Sequence, residues 1–177
     1  SSASSARKLG GLDILVNDIL LRQKAPVATA DEAFENVLKQ RATLVMAACR
    51  AALPFLKKSP SGRIINIGFL RSFFAADAGE VALRGTQDLA NLTRALAAET
   101  GEFGITANYI QPGGIMTPES RDTFRRNDGL RDYCIGASAA RRLGEPVDVA
   151  KVALFLASDD AVFVSGTGIA VDGGRLD

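Results

Sequence analysis

Four short runs of branched and apolar residues, separated by stretches of helical period, constrain the fold of this chain more than any other feature. They are Leu12-Asp13-Ile14-Leu15-Val16, Arg63-Ile64-Ile65-Asn66-Ile67, Ile105-Thr106-Ala107-Asn108-Tyr109-Ile110 and Gly168-Ile169-Ala170-Val171-Asp172. Each is bounded by turn formers such as Gly10-Gly11, Asn17-Asp18, Gln111-Pro112-Gly113-Gly114 and Gly173-Gly174. Short branched runs with such ends read as buried parallel strands.

The intervening segments change period. Thr29-Ala30-Asp31 offers a cap, and Phe34, Val37, Leu38, Val45, Ala48 and Ala52 follow at helical spacing up to Pro54, which predicts a helix over 31–56. A second helix is predicted over 83–102 from Leu89, Leu92 and Leu96, and a polar helix over 119–135. Glu145-Pro146 opens a last helix, with proline suited to its first turn and Val149, Val152, Ala153 and Leu156 along one face. Residues 1–8 read as a frayed helix end and 69–80 as a loop. The order strand, helix, strand, helix, strand, helices, strand predicts one α/β domain over 1–177. Its sheet is expected to be parallel, with right-handed crossovers.

Composition removes whole classes of chemistry. There is no His, which excludes a Ser-His-Asp triad, a Cys-His pair and any His-ligated metal, so no metal is expected. Ser72, Ser165 and Thr167 have no visible base. The formal charge of +1 argues against nucleic acid as a partner. No apolar run reaches ~18 residues, so no membrane span is expected. Cys49 and Cys134, with 84 residues between them, make neither a redox pair nor a disulfide framework, which suits a reducing cytoplasm. The start, Ser1-Ser2-Ala3-Ser4-Ser5 without Met, reads as the interior of a longer polypeptide.

These residues resemble the short-chain dehydrogenase/reductase family. The resemblance is carried by Leu12 to Asn17, Arg50-Ala51-Ala52-Leu53-Pro54, Gly62 to Ile67 and Thr93-Arg94-Ala95-Leu96-Ala97. Pro112-Gly113 through Thr117, Arg142-Leu143-Gly144-Glu145-Pro146, Phe155-Leu156-Ala157-Ser158 and Val171-Asp172-Gly173-Gly174 extend it along nearly the whole chain. It implies the C-terminal portion of a doubly wound, Rossmann-like parallel sheet with helices on both faces, and descent from oxidoreductases that use NAD or NADP. It also implies cofactor-binding roles for Asn17, Pro112, Gly113, Ile115 and Thr117.

The departures are as informative. The family's glycine-rich turn, G-x-x-x-G-x-G, does not occur before Leu12, so the domain reads as lacking its N-terminal cofactor-binding unit. The four catalytic positions, which in the family are Asn, Ser, Tyr and Lys, register on Arg41, Phe69, Ala82 and Thr86. Asn17-Asp18-Ile19-Leu20 stands where the family has Asn-Asn-Ala-Gly, a faint likeness to halohydrin dehalogenases, which work without the nicotinamide.

Three functional readings follow. The first is a catalytically silent member or fragment of an NAD(P)-dependent oxidoreductase. The second is a cofactor-independent enzyme using Arg41, Asp18, Thr86, Gln87 and Thr117, with Arg41 as an anion contact. The third is a structural subunit alongside an intact relative. Competing local readings stay open: Arg41 paired with Asp18, Phe69 filling the substrate space, Thr117 as a helix cap, Pro112-Gly113 as a turn, and Asn66 as a hydrogen-bonding strand residue. The resemblance further implies a homodimer or homotetramer through the helices 31–56 and 83–102. The strand 12–16 would present an apolar edge that something must cover.

Overall fold

The computed structural model describes residues 2–18, 30–68 and 79–176. A short helix, α1 (Ser2–Leu9), precedes strand β1 (Ile14–Asn17). Next come α2 (Ala30–Leu56), β2 (Arg63–Ile67), α3 (Gly79–Thr100) and β3 (Thr106–Pro112). Helices α4 (Pro118–Arg126), α5 (Asp128–Gly136) and α6 (Pro146–Ala157) lead to β4 (Gly168–Val171). All strand pairs are parallel, in the order β1-β2-β3-β4.

Alternation along the strands sorts side chains to two faces. Leu15, Ile64 and Ala107 point to one side, where Val45, Cys49, Ala52 and Leu56 of α2 and Leu96 of α3 close the first core. Ile65, Ile67 and Ile110 point to the other, where Leu156 of α6 and Ala161 close the second. The helices 31–56 and 83–102 thus share one face, and α6 covers the opposite one. In a sheet of this order, connections over opposite faces have opposite hands. The β3-to-β4 crossover therefore departs from the uniform hand expected from the strand–helix alternation. The long α4–α5 insertion precedes it and lets the chain reach the far face before descending as α6.

The sequence boundaries shift in ways with physical causes. β1 begins at Ile14, because Asp13 only lends its carbonyl to the Arg63 N–H, 2.8 Å away. β3 runs on through Pro112, whose missing N–H costs nothing on a side where the Gly113 N–H meets the Val171 carbonyl instead. α3 starts at Gly79, four residues before the predicted start at Leu83. The polar helix 119–135 is two helices, because the Asn127 side chain accepts from the Leu130 N–H and starts a second one. Helix α2 carries an internal proline, Pro54, and continues past it to Leu56.

One polar ladder crosses the first core near the carboxyl ends of the strands. Asn17 Nδ2 donates to Asn66 Oδ1 at 2.9 Å, and Asn66 Nδ2 donates to Thr93 Oγ1 of α3 at 3.3 Å. All three residues are buried, so Asn66 is the structural hydrogen-bonding residue that the sequence suggests. Replacing Asn66→Ala strands the Asn17 amide and the Thr93 hydroxyl. The expected cost is about 1–3 kcal/mol for each group left unpaired, read as a lowered urea midpoint with unchanged slope.

Candidate functional site at the carboxyl ends of the strands

Open parallel sheets bind ligands at the carboxyl ends of their strands, and most of the nominated residues lie there. Asn17 ends β1, Arg41 reaches the end of β2, and Pro112 to Thr117 leave β3. The wider groove of about 880 Å3 is at the other end of β1, lined by α1, Gly10 to Ile14 and Lys58 to Pro60. It therefore has no part in this site. A cleft of about 290 Å3 lies beyond β3 and β4, between Gly114, Ile115, Arg142, Gly144, Asp148 and Asp172.

Arg41 is 7% exposed, and its guanidinium donates to the Ile67 carbonyl. Burial pulls its pKa down to about 10, while the negative charge of Asp18 works the other way. It remains a cation at neutral pH, held by a carbonyl at the end of β2 and by the field of Asp18. The negative charge of Asp18 favours the Arg41 cation, and one hydrogen bond of its guanidinium goes to the backbone. Phe69 lies outside the described residues. Ala82 and Thr86 are on the first turns of α3.

Asn17 is committed inward. Its amide donates to Asn66 and, at 3.6 Å, to Cys49 Sγ. Burial raises the Cys49 thiol, with the Asn17 hydrogen bond opposing it, so Cys49 is an inert small apolar residue rather than a nucleophile.

The β3 exit is a rigid turn. A Cβ on Gly113 would stand 2.7 Å from Asp172 Cα, so glycine is required by the close approach of β3 to the β4 exit. Ile115 bridges to Gly144, with the Met116 N–H on the Gly144 carbonyl and the Gly144 N–H on the Gly114 carbonyl, both at 2.8 Å. Thr117 caps α4: its Oγ1 accepts from the Ser120 N–H at 3.0 Å, and Ser120 Oγ accepts from the Thr117 N–H at 2.8 Å. The cap reading of Thr117 therefore holds in the structure, and the sequence did not single out Ser120 as its reciprocal partner. Asp172 Oδ1 accepts from the Gly174 N–H, which makes Asp172-Gly173-Gly174 a turn, with both glycines at positive φ.

Structure thus brings Pro112, Gly113, Ile115 and Thr117 onto one rim. Asn17 faces the α2 side of the sheet, two strands away. Among the described residues no group of three or more His, Cys, Asp or Glu could hold a metal, and no helix is long and apolar enough to cross a membrane.

The family model described as Enoyl-(Acyl carrier protein) reductase matches residues 2–175. The chain belongs to the short-chain dehydrogenase/reductase family. It is 30% identical over 172 residues to 7alpha-hydroxysteroid dehydrogenase of Bacteroides fragilis, covering 95% of this chain and 66% of that protein. It is 34% identical over 175 residues to the 3-oxoacyl-[acyl-carrier-protein] reductase FabG of Haemophilus influenzae, covering 93% and 67%. A putative gluconate dehydrogenase from Agrobacterium tumefaciens superposes with a TM-score of 0.79 at 28% identity, covering 96% of this chain and 68% of that one. ElxO with NADP bound superposes with a TM-score of 0.77 at 26% identity, covering 96% and 69%. The chain spans about two thirds of the length of these relatives.

Two outcomes follow from the rim. Thr117→Ala removes a reciprocal cap and lowers stability by about 1 kcal/mol in chemical denaturation, whereas Thr117→Ser retains most of it. The Asp148 carboxyl is held below its ordinary range, first by the Glu145 N–H and then by Arg142. A depressed folded pKa adds stability that is complete above the unfolded value, about 4, and fades as pH falls through the folded one. Wild type should therefore lose stability below about pH 4 more steeply than Asp148→Asn, as thermal melts across pH 2–6 would show.

Proposed function

We propose that this chain is a short-chain dehydrogenase/reductase homologue that does not perform hydride transfer by the family's acid–base chemistry, either as a silent member or as part of an NAD(P)-dependent oxidoreductase. The observation that carries this reading is the sequence of α3, GEVALRGTQDLANLTRALAAET, which holds neither Tyr nor Lys. Carbonyl reduction needs a group that gives a proton as the hydride arrives, with a pKa tuned toward neutrality. Ala82 has no such group, and the hydroxyl of Thr86 does not ionise near pH 7. The two tyrosines stand elsewhere. Tyr109 is on β3 with its ring against Gly168, and Tyr133 is on α5, bonded to Arg175 at 3.5 Å.

Relatives of this chain include an NADP-binding protein. The nominated residues do not fit such a dinucleotide as they stand. The Asn17 amide is spent inside the sheet, Gly113 packs on Asp172 Cα instead of leaving a cradle, and the Thr117 hydroxyl caps α4. The cofactor-independent alternative gains nothing from Arg41, whose charge is already engaged by the Ile67 carbonyl and Asp18.

The same reading includes assembly. Copies of this chain would meet through α2 and α3, where Leu44 of α2 stays exposed. A further strand would cover β1, whose Ile14 and Val16 are 42% and 49% exposed on the face that α6 leaves bare. Light scattering should give a dimer or tetramer at micromolar concentration. A soluble monomer with freely exchanging β1 edge amides would reject the assembly. For the chemistry, the purified chain is assayed with NADH and NADPH against ketones, aldehydes and 3-oxoacyl thioesters. No rate above the enzyme-free control is expected, and turnover of any of them overturns the proposal.

A further inference from the structure

The amino ends of β2 and β3 carry two buried polar atoms side by side. Arg63 and Thr106 are register partners on neighbouring strands, so their side chains lie on the same face, the one that α6 covers. They are 1% and 5% exposed. Arg63 uses its terminal nitrogens: Nη1 donates to the Gly62 carbonyl at 3.0 Å, and Nη2 donates to the Ser158 carbonyl at 3.3 Å. Nη2 also stands 3.8 Å from the exposed Asp159 carboxylate. The Nε–H of Arg63 and the hydroxyl of Thr106 have no hydrogen-bond partner among the described residues.

A buried guanidinium N–H and a buried hydroxyl left dry would each be destabilising. Native interiors rarely tolerate two such groups together. The two atoms do not bond each other, yet they stand on directly paired residues. One is a pure donor, and the other both donates and accepts. We infer that one ordered water binds between them, accepting from Arg63 Nε–H and hydrogen-bonding to Thr106 Oγ1. Buried waters are held by two to four such polar partners. A halide fits less well, because Asp159 and two carbonyls already face the guanidinium. The water completes a staple: Ser158 is the C-cap of α6, so Arg63 satisfies an orphan carbonyl at that helix end. The water then ties the same arginine to β3.

The test uses the whole chain, with arginine labelled at 15Nε and NMR cross-relaxation read between Arg63 Nε–H and solvent. A cross-peak of the sign given by a water resident for longer than a nanosecond is expected, and its absence overturns the proposal. Thr106→Val keeps shape and removes the hydroxyl. With the water present, this variant weakens the cross-peak and lowers Tm by several degrees, while Thr106→Ser restores both. If the hydroxyl is simply dry, Thr106→Val raises Tm, which also overturns the proposal. A Tm that climbs with chloride at constant ionic strength would assign the site to an anion and overturn it as well.

Discussion

The amide ladder from Asn17 through Asn66 to Thr93 is the constraint on which the rest of the structure depends. It adds little net stability, because each of its bonds replaces one to water. Its effect is to exclude alternatives. A slip of one residue in β1 or β2 would turn Asn17 or Asn66 toward Ile65, Ile67 and Ile110, with no partner there. The ladder therefore fixes β1 against β2, and both against α3, close to the end of the sheet where the nominated residues lie. Cys49 contributes a weak sulfur acceptor to Asn17 and fills the remaining volume.

The opposite face is held by different means. Helix α6 has a strongly apolar side, but its position is set by polar contacts at its ends. Arg63 reaches the Ser158 carbonyl from β2, while Asn108 of β3 donates to the Val164 carbonyl and accepts from the Thr167 N–H. At the other end, Asp148 caps the helix from within, on the Glu145 N–H, with Arg142 alongside. A crossover of the less common hand runs against the twist preference of parallel strands, and these contacts hold it in place.

Most of the fold was legible because it rests on periodicity, which a sequence displays directly. The four strands and three long helices fall where branched runs and helical stripes put them, within a few residues. The reach of β3 to Pro112 was not legible, since proline reads as a stop unless its neighbour is known to be an edge strand. The division between α4 and α5 was missed because Asn127 looks like any polar helical residue. Its capping bond depends on backbone angles that sequence does not display. The role of Arg63 escaped for a related reason. A charge at the head of an apolar strand reads as solvent-facing, and only the position of the α6 C-terminus supplies the carbonyl that lets it be buried.

The sequence assigned Arg41, Ala82 and Thr86 to the family's catalytic positions by registration alone, and what Arg41 does depends on the third dimension. Where the family has a neutral amide, this chain places a buried cation whose desolvation must be offset locally. The Ile67 carbonyl and the Asp18 charge supply that offset. A guanidinium so engaged draws the ends of β1 and β2 together, in the region that ligands of such sheets enter. On the proposed reading, Arg41 and the residues of α3 act in the same direction: one takes polar freedom from the strand ends, and the others offer no proton donor. Restoring Tyr and Lys on α3 alone would leave a cation braced across the strand ends, so recovered chemistry would require position 41 to revert as well.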